Sequence, residues 1–161
     1  GAQAVARGAL RGEVAARPWG ALLDQARVAG ARAGEQVEVA LVDAKQYAIS
    51  KDHGRMTREA GERGKRAARR AQTAALDRGL ALVGLWLRDV ACVFDGVPEL
   101  AHNSDRAALL AQDAALDGLT ADRVRAAQGL VDETRASFEF NPNEELALDA
   151  LGSRLARTLA G

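Results

Sequence analysis

Between Ala75 and Phe94 one helical face is apolar without interruption. Leu76, Leu80, Val83, Leu87, Val90 and Phe94 follow steps of four and three, which places them in one stripe along an α-helix. Leu82, Leu85, Trp86 and Val93 are expected to widen the stripe, with Asp77, Arg78, Arg88 and Asp89 at its edges. Such a helix is stable only when other elements cover it, since burying each large side chain is worth roughly 1.5–3 kcal/mol and short isolated helices are marginal in water. The rest of the chain must therefore supply helices that pack on it.

The composition agrees with that demand. Alanine occupies 36 of the 161 positions and aromatic residues make up only 4%, so close helix contacts are favoured and strand formers are scarce. The expected fold is all-α, a single helical bundle of about five or six helices. A chain of this length buries about 68–70% of its unfolded surface, enough for a real core.

Helix punctuation divides the chain further. Residues 1–17 read as the helical tail of an upstream segment, and residues 18–161 as the helical domain itself. Because residue 1 is glycine and the only methionine is Met56, the expectation is a piece of a larger protein. A helix is expected from Pro18 and Trp19 to Ser50, its face carried by Leu22, Ala26, Ala29, Ala33, Val37, Leu41, Ala44 and Ala48. Lys51–Gly54 reads as a turn. Gly61 and Gly64 are expected to weaken the next helix in its early turns, leaving that part extended or frayed.

Gly96-Val97-Pro98 reads as a helix stop. Asn103 or Ser104 is expected to cap a short helix reaching about Leu116, with Leu109 and Leu110 inward and Gly118 closing it. Thr120 opens the next helix, whose buried stripe is Val124, Ala127, Val131, Thr134 and Phe138. Asn141-Pro142-Asn143 reads as a turn that supplies the cap of a last helix bearing Leu148, Leu151, Leu155 and Leu159.

The formal charge is zero, from 22 basic and 22 acidic side chains, so nothing global points to nucleic acid. The distribution is uneven, however. Residues 51–70 carry eight basic against three acidic side chains, and residues 95–161 carry six against twelve. A solvated helix face is the ordinary reading of such a basic run, and contact with nucleic acid or an acidic partner through Arg63, Lys65, Arg66, Arg69 and Arg70 is the other.

Catalytic and cofactor patterns are missing from the sequence. His53 and His102 are separated by 48 intervening residues, with no metal-ligand spacing beside them, and both read as surface histidines. There is no phosphate-cradling glycine motif and no Gly-x-Ser-x-Gly elbow. Neither an enzyme activity, a cofactor nor a small-molecule substrate is expected. The single Cys92 rules out a disulfide within the chain and fits a reduced, cytoplasmic setting. No uncharged apolar run is long enough to cross a membrane.

Four segments taken in order carry a resemblance. A basic stretch at Arg66–Arg70 is followed by AALDRGLALVGLWLRDV, then by ELAHNSDR after a proline break, then by FEFNPNEELALDALGSRL. This order resembles the C-terminal collar domain of the delta-prime subunit of the bacterial DNA polymerase III clamp loader, within the gamma/tau/delta-prime family. Ala75-Leu76-Asp77 and Leu87-Arg88-Asp89-Val90 match the long helix of that family, with Trp86 near its usual aromatic. Asn141, Asn143, Leu146-Ala147-Leu148 and Ala150-Leu151 match its closing signature. The resemblance covers residues 19–160. It implies a non-catalytic oligomerisation domain that joins other clamp-loader subunits in DNA replication. Trp86, Leu87, Arg88, Asp89, Leu148, Leu151 and Leu155 are then the expected packing or subunit-interface residues.

Overall fold

The computed structural model describes residues 1–47, 49–140 and 143–160. The described residues form six α-helices and no strand, as expected: α1 (Ala2–Leu10), α2 (Gly20–Gln46), α3 (His53–Phe94), α4 (Ala107–Ala114), α5 (Ala121–Ser137) and α6 (Glu144–Leu159). Short 3-10 turns at Glu13–Ala16, Ser50–Asp52, Pro98–Leu100, Ser104–Arg106 and Phe138–Phe140 complete the order. Contacts gather into two compact units, a multi-helix unit of residues 1–22 and 77–161 and a hairpin unit of residues 23–76. Residues 1–17, expected as an upstream tail, are helical at α1 and belong to the multi-helix unit, where Val5, Ala6, Ala9 and Leu10 are buried and α1 packs on α6.

The apolar stripes account for the core of the multi-helix unit. Leu80, Val83, Leu87 and Val90 of α3 are fully buried, as are Val124, Ala127 and Val131 of α5 and Leu148 of α6. Thr134, Phe138, Leu151, Leu155 and Leu159 extend the same faces, and α5 lies along α6. The expected widening of the α3 stripe holds for Trp86 and fails for Leu82, which is 57% exposed. Phe94, at the end of the stripe, is half-buried.

The helix ends follow their local chemistry. Gly96 has φ +74, with its N–H donating to Val93 O and that of Val97 to Cys92 O, so the left-handed glycine ties off the last carbonyls of α3. The Thr120 side chain accepts from Arg123 N, and that of Asn143 from Leu146 N, as a first-turn cap requires. The expected turn at Asn141-Pro142 lies outside the described residues, as does Ala48. Asn103 does not cap a helix through its side chain. Its amide is taken up by Asp89, for the reason given below. The short helix ends at Ala114, before the expected Leu116.

In the hairpin unit α2 and α3 run antiparallel on small residues. An added Cβ at Gly30 would meet Ala68 O at 2.9 Å, and Gly34 and Gly64 lie against each other's backbone. The expected interruption at Gly61 and Gly64 does not occur, and α3 is helical from His53 onward. Each internal glycine costs a helix about 1 kcal/mol in propensity, a cost that the packing of α3 on α2 outweighs; an added Cβ at Gly64 would meet Gly34 O and Val37 only at 3.8–4.0 Å. Ala33, Val37 and Leu41 form the inner face of α2 and are half-buried, whereas Ala44 is exposed.

Candidate functional site

Two buried carboxylates organise the multi-helix unit. Asp89, expected at the edge of the α3 stripe, has no exposed surface. Its Oδ1 accepts from the backbone N–H of His102 at 2.9 Å, and its Oδ2 accepts from the Asn103 backbone at 2.8 Å and the Asn103 side-chain amide at 2.7 Å. Arg88 Nη1 lies 3.4 Å from Oδ1. The charge is thus held by three N–H donors and one guanidinium, which is how a buried carboxylate is accommodated. The consequence is that the connection after Pro98 is fastened to the last turns of α3.

Asp113 of α4 is likewise fully buried. Trp86 Nε1 donates to its Oδ2 at 3.0 Å, Arg7 Nε lies 3.0 Å from both oxygens, and Arg11 Nη2 stands at 3.6 Å. This carboxylate joins α1, α3 and α4. No buried side-chain nitrogen or oxygen among the described residues is left without a partner.

A third cluster ties the start of α2 to α6. Trp19 is 7% exposed and sits over Gly152, where the absence of a side chain makes room for the ring. Its Nε1 donates to Asp149 Oδ1 at 3.0 Å. Arg17, in the left-handed region at φ +47, donates to both Asp149 oxygens and to Glu145. Those bonds, first the hydrogen bond from Arg17 and then that from Trp19, hold the Asp149 carboxyl below the usual carboxylate range. The same contacts raise the Arg17 guanidinium above its ordinary value.

These placements correct the expected interface. Trp86, Asp89, Leu148, Leu151 and Leu155 are buried inside the multi-helix unit and present no surface to a partner, because each is consumed by the core or by a buried polar bond. Leu87 is core as well. Arg88 alone of the set reaches solvent, its side chain 48% exposed. The apolar surface lies elsewhere: Leu82, Leu100, Phe140 and Leu146 are all more than half exposed in this unit. Leu82 borders a shallow groove of about 320 Å³ with Gln3, Asn103 and Arg106. Helix periodicity places Leu82 beside a buried stripe and gives no sign that it stays uncovered. Of the two histidines, His102 is exposed and His53 half-buried.

In the hairpin unit all five basic candidates, Arg63, Lys65, Arg66, Arg69 and Arg70, are exposed on one continuous helix. The structure therefore does bring them together. Arg55 pairs with Glu59 and Asp52, and Lys65 with Glu62.

Among the described residues no group of three His, Cys, Asp or Glu side chains is arranged to hold a metal ion, and no helix is long and apolar enough to cross a membrane. The chain matches no family model, no curated protein and no solved structure at a significant level.

Proposed function

We propose that the chain is the oligomerisation (collar) domain of a bacterial DNA polymerase III clamp-loader subunit of the delta-prime type, non-catalytic in itself and acting through assembly with sister subunits. The observation that supports this reading most directly is the Asp89 bond set. It fastens Leu87-Arg88-Asp89-Val90 to His102 and Asn103 of the Glu99–Arg106 segment, two of the separate segments on which the resemblance rests. A third, the Asn143-capped α6, contributes Leu148 and Leu151 to the core of the same unit.

On this reading the candidates to meet neighbouring subunits are the exposed apolar side chains Leu82, Leu100, Phe140 and Leu146, together with the half-exposed Arg88. The test is to mix the chain with the other clamp-loader subunits of its own organism and to measure mass by light scattering. One copy is expected in the assembled loader, with Leu82→Asp and Phe140→Asp weakening retention while leaving helicity intact. Elution of every component as a separate species would overturn the proposal.

A further inference from the structure

The outer face of α3 in the hairpin unit carries more positive charge than its own neighbours neutralise. Residues 23–76 hold 11 basic and 7 acidic side chains, a net +4, whereas residues 1–22 and 77–161 hold 11 and 15, a net −4. Met56, Ala60, Gly64, Ala67 and Ala68 take the side of α3 that faces α2, and all are buried or half-buried. At about 100° per residue, Arg58, Arg63, Arg66, Arg69 and Arg70 then fall within an arc of about 140° turned away from that side. Glu59 and Glu62 share this arc, and at its edge Arg63 borders the groove against α2. All five are exposed, and none has an acidic partner within 4.0 Å among the described residues, unlike Arg55 and Lys65. They span about 18 Å of helix.

We propose that this face binds the phosphate backbone of a nucleic-acid duplex, without reading its sequence. Three features select that occupant. The free charges are all guanidinium, which grips phosphate through two parallel N–H donors. The face between Arg58 and Arg70 has no exposed large apolar side chain, while the centre of a protein interface is depleted of charge and enriched in apolar and aromatic groups. It also has no aromatic ring on which unpaired bases could stack. A duplex backbone needs neither apolar nor aromatic groups, only a row of cations. This binding is independent of collar assembly, which uses the other unit.

The test uses the whole chain with a fluorescently labelled 20-base-pair duplex of arbitrary sequence, followed by anisotropy at increasing salt. Five arginine contacts predict a slope of log affinity on log salt of about −4.5 for a duplex, so binding weakens about 500-fold between 50 and 200 mM salt. The double variant Arg66→Gln/Arg70→Gln is expected to reduce the slope by about two. The variant Arg78→Gln/Arg157→Gln removes the same charge from exposed positions of the other unit and is expected to leave both slope and affinity unchanged. Circular dichroism verifies that all variants keep their helicity. Absence of binding at 50 mM salt, equal losses in the two double variants, tighter binding of the single strand, or displacement of the duplex by a charge-matched polyglutamate peptide would each overturn the proposal.

Discussion

Gly152 faces Trp19 so closely that adding one methyl group there has a calculable effect. A Cβ on Gly152 would stand 2.1 Å from Trp19 Cη2, 2.3 Å from Cζ3 and 2.8 Å from Cζ2, where ordinary contact begins at 3.4 Å. An overlap of more than an ångström cannot be absorbed by breathing of the core, and the ring is not free to swing, since its Nε1 is bonded to Asp149 and Asp149 to Arg17. Two responses remain. If α6 shifts, overpacking costs about 1–3 kcal/mol; if the ring is expelled, the loss approaches the ~3–5 kcal/mol of deleting a buried tryptophan. Alanine returns up to about 1 kcal/mol in helix propensity. The expected net loss for Gly152→Ala is therefore about 0–2 kcal/mol if α6 shifts and about 2–4 kcal/mol if the ring is expelled, read by urea unfolding followed at 222 nm. Gly129, in α5, has nothing within 4 Å of its added Cβ, so Gly129→Ala is expected to stabilise by up to about 1 kcal/mol. In the pair Trp19→Ala/Gly152→Ala the losses should fall short of additivity, because the second change no longer meets the ring. A Gly152→Ala protein stabilised as much as Gly129→Ala would refute the placement of Trp19.

Removing the Asp89 carboxylate by Asp89→Ala strands two backbone N–H groups and the Asn103 amide, each worth about 1–3 kcal/mol when left buried and unpaired. A loss of at least about 3 kcal/mol is expected in denaturant unfolding, and a loss under about 1 kcal/mol would show that the Pro98–Arg106 connection is held by something else. Asp149 gives a pH dependence. Its carboxyl is held low in the folded chain, so its contribution is present above the ordinary aspartate value near ~3.9 and disappears as pH falls through the folded value. The gap in Tm between wild type and Asp149→Asn should accordingly narrow below about pH 4. A gap that stays constant from neutrality into strong acid would contradict the Arg17–Asp149 geometry.

The stripes on α5 and α6 were legible residue by residue, because each is long, regular and covered on one side only: Val124, Ala127, Val131, Thr134 and Phe138, and Leu148, Leu151, Leu155 and Leu159, are all buried. So were the Thr120 and Asn143 caps and the Gly96 stop, which depend on neighbours within a few positions. The burial of Asp89 and Asp113 was not legible. Apart from the adjacent Arg88, their partners lie 13 to 106 residues away, and local pattern places a charged residue at a helix edge by default. Amphipathicity also states that a face is covered without saying by what, which is why Trp86, Leu148, Leu151 and Leu155 were candidates for a partner and turned out to meet their own unit. The glycines of α3 mislead for a related reason. Propensity counts Gly61 and Gly64 as weaknesses, yet α3 runs through both, and the one glycine the seam holds tightly is Gly30 of α2, whose added Cβ would meet Ala68 O at 2.9 Å.

The seam of the hairpin has a consequence for how such a chain can change over generations. Gly30 meets the facing main chain at the Ala68 carbonyl, and Gly34 and Gly64 meet only small neighbours at ordinary contact distance, so no large side chain has to interlock there. Substitutions on the outward surface then leave the distance between the two rods untouched. Charge on that surface can be gained, lost or reversed by single replacements while the architecture beneath stays constant, which makes it the part of the molecule freest to acquire a new ligand.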